Sequence, residues 1–151
     1  MRLTNLSDYA MRLLMYLGRH PERLCTIAEV AQAYGISEPH LMKITHRLAR
    51  NGWVHTVRGK HGGMRLAHEP GAIPLGAVIR DTENDLDLVE CLGAHSSCTL
   101  TGECGLAHIV QGALQAFMDH LDQHTLADLL PPAQAVVEAP VRLVRSNRSV
   151  S

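Results

Sequence analysis

The strongest constraint in this 151-residue chain is a pair of helix-start signals set either side of one glycine. Thr26-Ile-Ala-Glu29 has the form of a capping box, in which the threonine hydroxyl accepts from the backbone N–H three residues on and the glutamate reaches back to the cap. The helix that starts there carries Ile27, Val30 and Ala31 inward and stops at Gly35, a residue suited to the left-handed position after a helix. Ser37 opens a further helix, with Pro39 tolerated in its first turn and Leu41, Ile44 and Leu48 as its buried stripe. Two helices joined by a short glycine turn predict a helix-turn-helix over about 27–51.

The adjoining segment narrows the fold. Trp53-Val-His-Thr-Val57 and Met64-Arg-Leu66 have the character of short strands, and they enclose Arg58-Gly-Lys-His-Gly-Gly63, a glycine-rich basic loop. A basic hairpin behind a helix-turn-helix makes a winged helix, with the wing over 53–67. Upstream, Leu6, Ala10, Leu13, Leu14 and Leu17 recur at helical spacing and predict a first helix over 7–19, broken by His20-Pro21. Downstream, residues 74–82 read as one more helix, opened by Pro74 and carrying Leu75, Val78 and Ile79. The fold class is therefore mostly α, with a winged helix-turn-helix and its two-stranded wing filling residues 1–80.

Winged helices that bind nucleic acid are usually basic, yet the formal net charge here is -1. The total conceals a division. Residues 1–70 hold ten Lys/Arg against five Asp/Glu, a net of +5, whereas residues 71–130 hold Arg80 alone against nine acids, a net of -8. Two regions with opposite electrostatic duties share the chain.

The acidic region loses its periodicity between residues 81 and 104, a loop of roughly 20 residues, longer than compact domains carry without function. Cys91, Cys98 and Cys104 all lie in it. The chain has no apolar run of the roughly 18 residues a membrane span needs. Its start, MRLTNLSDYAMRLLMYLGRH, carries acid and base inside the apolar pattern, unlike a secretory signal, so a cytoplasmic setting with reduced thiols is expected. An odd trio cannot pair internally in any case. Metal is the better explanation: soft thiolates select zinc or an iron-sulfur cluster, and the paired CxxC knuckles of structural zinc are missing. A fourth ligand position stays open, with two candidates. His108 lies one helical turn past Cys104, and Asp8 stands at the head of the first helix, where it would otherwise complement the helix dipole. Cys25, isolated before a helix cap, reads as a small core residue.

Beyond the loop, Leu106, Ile109, Val110, Ala113, Leu114, Phe117 and Leu121 trace a wide stripe along one helix of roughly 20 residues within 105–130. With the winged helix already complete, the expected cover for that stripe is the same helix of a second subunit, making a homodimer. Thr125-Leu-Ala-Asp128 caps a last short helix, and residues 131–151, rich in Pro, Ala and Ser, are expected to form a disordered tail. No GxGxxG, no CxxC and no nucleophile–base spacing is present, so an enzyme is not expected.

Over residues 1 to about 130 the chain resembles the winged-helix iron-sulfur transcription regulators typified by NsrR and IscR. The resemblance is carried by MRLTNLSDYAMRLLMYL, by TIAEVAQAYGISEPHLMKITHRLARNGWV, by VRGKHGGMRL, by the cysteine trio and by HTLADLL. The nitric-oxide-sensing branch is the most similar, through Asp8-Tyr9, Lys43-Ile44 and residues 125–129. The six residues between Cys91 and Cys98 exceed the family spacing, and His108 lies one position later than the histidine of IscR-like relatives, which favours Asp8 as the fourth ligand.

The resemblance implies a homodimeric repressor on a palindromic double-stranded DNA operator, with a 2Fe–2S or 4Fe–4S cluster that senses nitric oxide. A cluster read out for iron-sulfur or redox status, or a zinc-stabilised interaction module, are the alternatives. In such a protein the third helix enters the major groove with Ser37, Glu38, His40, Lys43 and Arg47, while Arg58, Lys60 and His61 of the wing meet phosphate or the minor groove.

Overall fold

The computed structural model describes residues 2–93, 97–100 and 103–132. Five helices and one hairpin run in the order α1 (Asn5–Arg19), α2 (Ile27–Tyr34), α3 (Glu38–Arg50), β1 (Val54–Val57), β2 (Gly63–Leu66), α4 (Leu75–Thr82) and α5 (Gly105–Asp122). Short 3-10 turns lie at Pro70–Ala72, Glu90–Leu92 and Leu126–Leu129. The winged-helix fold class expected of the sequence is the one observed. The tail expected over 131–151 falls almost wholly outside the described residues.

The two sequence signals either side of the turn work as read. Thr26 accepts from the Glu29 N–H at 3.2 Å while the Glu29 carboxylate accepts from the Thr26 N–H at 3.0 Å, and Gly35 takes φ 63°, where an L side chain is strained. Glu29 also accepts from Arg23 at 2.7 Å and from the Tyr16 hydroxyl at 3.2 Å, so the cap is joined to the neighbouring turn and to α1. Burial pushes the Glu29 carboxyl up, but these donors outweigh it and hold it down at about 2.

The first helix begins at Asn5, two residues before the expected start, because Thr4 caps it, its hydroxyl accepting from the Ser7 N–H at 3.4 Å. Ser7 is fully buried and serves a tertiary contact instead. Its hydroxyl donates to Glu83 Oε1 and lies 2.7 Å from Thr82 Oγ1. Glu83, at the end of α4, is only 9% exposed, and it accepts as well from the Thr4 N–H at 2.8 Å and the Thr4 hydroxyl at 3.1 Å. A buried carboxylate thus closes the head of α1 onto the end of α4, where the positive end of the α1 dipole favours it.

The core lies under α1. Ala10, Leu13, Leu14 and Leu17 pack with Leu41, Ile44 and Leu48 of α3, and α1 also contacts α4 and β2. The wing pairs antiparallel, Val54 opposite Leu66 and Val57 opposite Gly63. β2 is pinned to the body by a bridge in which Cys25 and Met64 exchange backbone bonds of 2.9 and 2.8 Å. A Cβ at Gly63 would stand 2.7 Å from the Cys25 carbonyl oxygen, so the bridge needs glycine there. Cys25 is sealed in the core, as its sequence position suggested, and burial pushes its thiol up to about 11.

These polar contacts set two measurable outcomes. Glu83→Ala leaves the Thr4 N–H and the Ser7 hydroxyl without their acceptor, and should cost about 2–3 kcal/mol in urea unfolding; an unchanged midpoint would show that α1 does not depend on the carboxylate. Glu29 is held below its ordinary value of 4.5, so its contribution is complete above pH 4.5 and fades as pH falls toward 2. Glu29→Gln should therefore flatten that part of the stability–pH curve and leave the neutral region with only the loss of the cap.

Candidate nucleic-acid interface and cysteine loop

The residues expected to read DNA lie on the outer side of α3. Ser37 caps the helix by its backbone alone, with no side-chain cap bond, so its hydroxyl is not committed to capping. Glu38, His40 and Lys43 follow on the exposed face, and the His40 ring rests edge-on against Tyr9 of α1 at 5.5 Å. Arg58, Lys60 and His61 are exposed on the turn of the wing, which Gly59 negotiates at φ 109°. Arg47 is placed differently. It is half-buried, and its guanidinium donates to the Asp81 carbonyl oxygen at 2.8 Å and to Asn84 Oδ1 at 3.3 Å.

Sequence reasoning missed two residues of this face. Met42 on α3 and Val57 at the end of β1 are 59% and 47% exposed, and both line a groove of about 700 Å³ between the helix and the wing. The signal for Met42 was available: it is apolar yet falls outside the 41-44-48 stripe. Apolar side chains on a recognition helix suit contact with thymine methyl groups.

The cysteine loop leaves α4 through Glu83. Cys91 sits in the 3-10 turn Glu90–Leu92, Cys98 lies beyond it, and Cys104 forms the N-cap of α5 without a side-chain cap bond. All three are half-buried, unlike Cys25. Glu90 accepts from the Ser97 hydroxyl at 2.6 Å and from its N–H at 3.4 Å, and these bonds hold its carboxyl below the ordinary range. Since Cys91 follows Glu90 and Cys98 follows Ser97, that pair draws the neighbours of two thiols together.

Among the described residues no group of three or more His, Cys, Asp or Glu side chains is gathered closely enough to hold a metal ion. Asp8 is exposed at the head of α1 and paired with Arg12 at 3.1 Å; His108 is exposed in the first turn of α5. The three thiols are half-buried, and the two further candidate donors, Asp8 and His108, stand exposed on different helices. Thiolate is the ligand that iron-sulfur clusters take.

The α5 stripe is only partly covered within one chain: Leu106 and Ile109 are 61% and 69% exposed and Ala113 is exposed, while Val110, Leu114, Phe117 and Leu121 are half-buried. The buried residue of the helix, Met118, lies outside the stripe read from the sequence. The far end of the helix is anchored to α4 by Arg80, whose guanidinium donates to both oxygens of Asp122 at 2.7 and 2.6 Å. Among the described residues no helix is long and apolar enough to cross a membrane.

Comparison with known proteins agrees with this architecture. Residues 3–132 match the Rrf2 family, described as an iron-dependent transcriptional regulator. The HTH-type transcriptional regulator NsrR of Geobacillus kaustophilus is 48% identical over 132 residues, covering 86% of this chain and 90% of that protein. NsrR of Bacillus subtilis is 41% identical over 140 residues, 91% of this chain and 96% of that one. Among solved structures, IscR of T. potens superposes with a TM-score of 0.69 at 26% identity, covering 85% of both chains. The resemblance read from the sequence is upheld, and so is the expectation of a regulator and not an enzyme. With a family match across nearly all its described length and relatives this close, the chain belongs to the Rrf2 family of DNA-binding transcription regulators.

Proposed function

We propose that this protein is a cytoplasmic, homodimeric repressor that binds a palindromic operator and carries an iron-sulfur cluster through which it senses nitric oxide. The observation that carries this reading is the sorting of the thiols. One is sealed in the core, whereas the other three stand half-buried in a single acidic loop that leaves the winged helix at Glu83.

Cys91, Cys98 and Cys104 would hold the cluster, with Asp8 as the fourth ligand in preference to His108. When bound, the cluster supplies irons to which nitric oxide adds. Asp8 is well suited to a bond that is made and given up. Its present partner is Arg12, four residues on and about half exposed like itself, and such a pair is worth only a few tenths of a kcal/mol. Carboxylate oxygen is also a weak match for iron beside thiolate. Asp8 could therefore leave Arg12 at small cost to serve as a ligand, and α1, which packs on α3 and β2, would carry the change into the core.

On the DNA side, Ser37, Glu38, His40 and Lys43 would face base edges. Arg58, Lys60 and His61 would meet the backbone or the minor groove. The exposed Leu106 and Ile109 support a second copy packed along α5. Two heads about 34 Å apart then match successive turns of the major groove. The acidic loop belongs on the side away from phosphate.

The test is anaerobic DNA binding by cluster-loaded and cluster-free protein on its own promoter fragments, with and without nitric oxide. A coloured protein that absorbs visible light and leaves DNA on exposure to nitric oxide is expected. A colourless zinc protein whose binding ignores nitric oxide would establish the zinc-stabilised module instead. Asp8→Ala should blunt the nitric oxide response, and an unaltered response would remove Asp8 from the ligand set. Lys60→Ala should weaken binding to all sequences and flatten the salt slope by about one.

A further inference from the structure

Four consecutive residues at the root of the cysteine loop are gripped from two sides. From the reading head, Arg47 of α3 donates through Nε to the Asp81 carbonyl oxygen at 2.8 Å and through Nη1 to Asn84 Oδ1 at 3.3 Å, while Trp53, just before β1, donates through Nε1 to Asp81 Oδ2 at 2.7 Å. From the other side, Glu83 accepts from the hydroxyls of Ser7 and Thr4 at the head of α1, and the Thr82 hydroxyl lies 2.7 Å from that of Ser7. We propose that residues 81–84 form a clamp that fixes the recognition helix and the wing to the root of the cysteine loop, with Arg47 and Trp53 as positioning residues and Arg47 not a phosphate contact.

The chemistry of each contact supports this. The Asp81 carbonyl belongs to the last turn of α4, where backbone acceptors have no partner within the helix, and a cation there also meets the negative end of the helix dipole. Arginine is the residue for that place. Its rigid fork spans the Asp81 carbonyl and the Asn84 amide at once, which a lysine ammonium on a flexible stem does not reproduce. Trp53 adds a second grip on the same residue from the start of the wing, so helix and wing are held to one segment and cannot shift independently of it. To reach phosphate, the Arg47 guanidinium would have to abandon two acceptors, leaving the half-buried Asp81 carbonyl unsatisfied.

The clamp itself is independent of any cofactor. Its consequence for sensing rests on the proposed function: a loop rearranged around the thiols would pull on 81–84 and hence on both DNA-contacting elements.

The experiment compares Arg47→Gln, Arg47→Lys and Trp53→Phe with Lys60→Ala, all in the full chain purified anaerobically. Hydrogen exchange reads the Glu83 amide, which donates to the Ile79 carbonyl oxygen at 2.9 Å. Salt titration on a duplex of random sequence reads phosphate contacts. Both Arg47 variants and Trp53→Phe should speed Glu83 exchange about tenfold while leaving the salt slope unchanged; Lys60→Ala should do the reverse. A slope shallower by about one in Arg47→Gln, with Arg47→Lys restoring it, makes Arg47 a phosphate contact and overturns the proposal. Unchanged exchange in all three variants overturns it equally. Trp53→Phe keeps an aromatic ring and stands in should Arg47→Gln fail to fold. Finally, the affinity ratio between cluster-loaded and cluster-free protein should fall toward one in Trp53→Phe combined with Arg47→Lys. A wild-type ratio already at one would sink the sensor reading alone, because exchange and salt slope judge the clamp without it.

Discussion

Glu83 is where the two ends of this fold meet. A carboxylate with so little solvent must find its hydrogen bonds inside the protein, and it finds them on Thr4 and Ser7 at the N-terminus of α1. The arrangement satisfies both partners: α1 gains an acceptor for an N–H at its cap, and the charge rests at the favourable end of a helix dipole. Because α1 is also the helix whose apolar face lies on α3, α4 and β2, fixing its head fixes its angle across the whole core. The next residues of the chain begin the cysteine loop. Its starting point is therefore set by the same bonds that set the reading head.

That economy explains how a chain with a net charge of -1 accommodates two incompatible fields. Lys43 and Arg50 of α3 and Arg58, Lys60 and Arg65 of the wing are exposed, and the acids accumulate after α4. Where the fields touch, the structure uses them. Arg47 reaches from the basic head to Asp81 and Asn84, and Arg80 reaches from α4 to Asp122 of α5. These are contacts between elements distant in sequence, each made of a fork and oxygen acceptors, and they serve as structural joints.

Signals that act within a few residues were legible in the sequence. The Thr26–Glu29 box, the Gly35 stop, the 41-44-48 stripe and the glycine hairpin all depend on neighbours along the chain, and each forms as read. Ser7 shows where that reading runs out. The apolar spacing starts the first helix there, but the cap is Thr4, and the Ser7 hydroxyl is claimed by a glutamate 76 residues away. Arg47 illustrates the same limit on the candidate interface: the resemblance puts it among the major-groove contacts with Lys43, while its partners are 34 and 37 residues further on. Glu83, counted only as part of an acidic loop, became a buried anchor for the same reason. The cysteine trio was plain in the sequence as chemistry, since residue type and compartment decide it, but the approach of one thiol to another depends on tertiary contacts that spacing does not contain.

The distribution of anchors along α5 links sensing to assembly. Its C-terminal half is held by Arg80 through Asp122 and, just beyond, by the bridge between Pro74 and Thr125. Its N-terminal half starts at Cys104 and presents Leu106 and Ile109 to solvent. A helix fixed at one end and apolar at the other is stable in water only when the free end is covered. On the homodimer reading the cover is the partner's helix, so the stretch that needs the second subunit begins at one of the three proposed ligands. The loop is then tethered at both ends to elements that bear on DNA binding: at Glu83 to the head of α1, and at Cys104 to the helix that spaces the two reading heads.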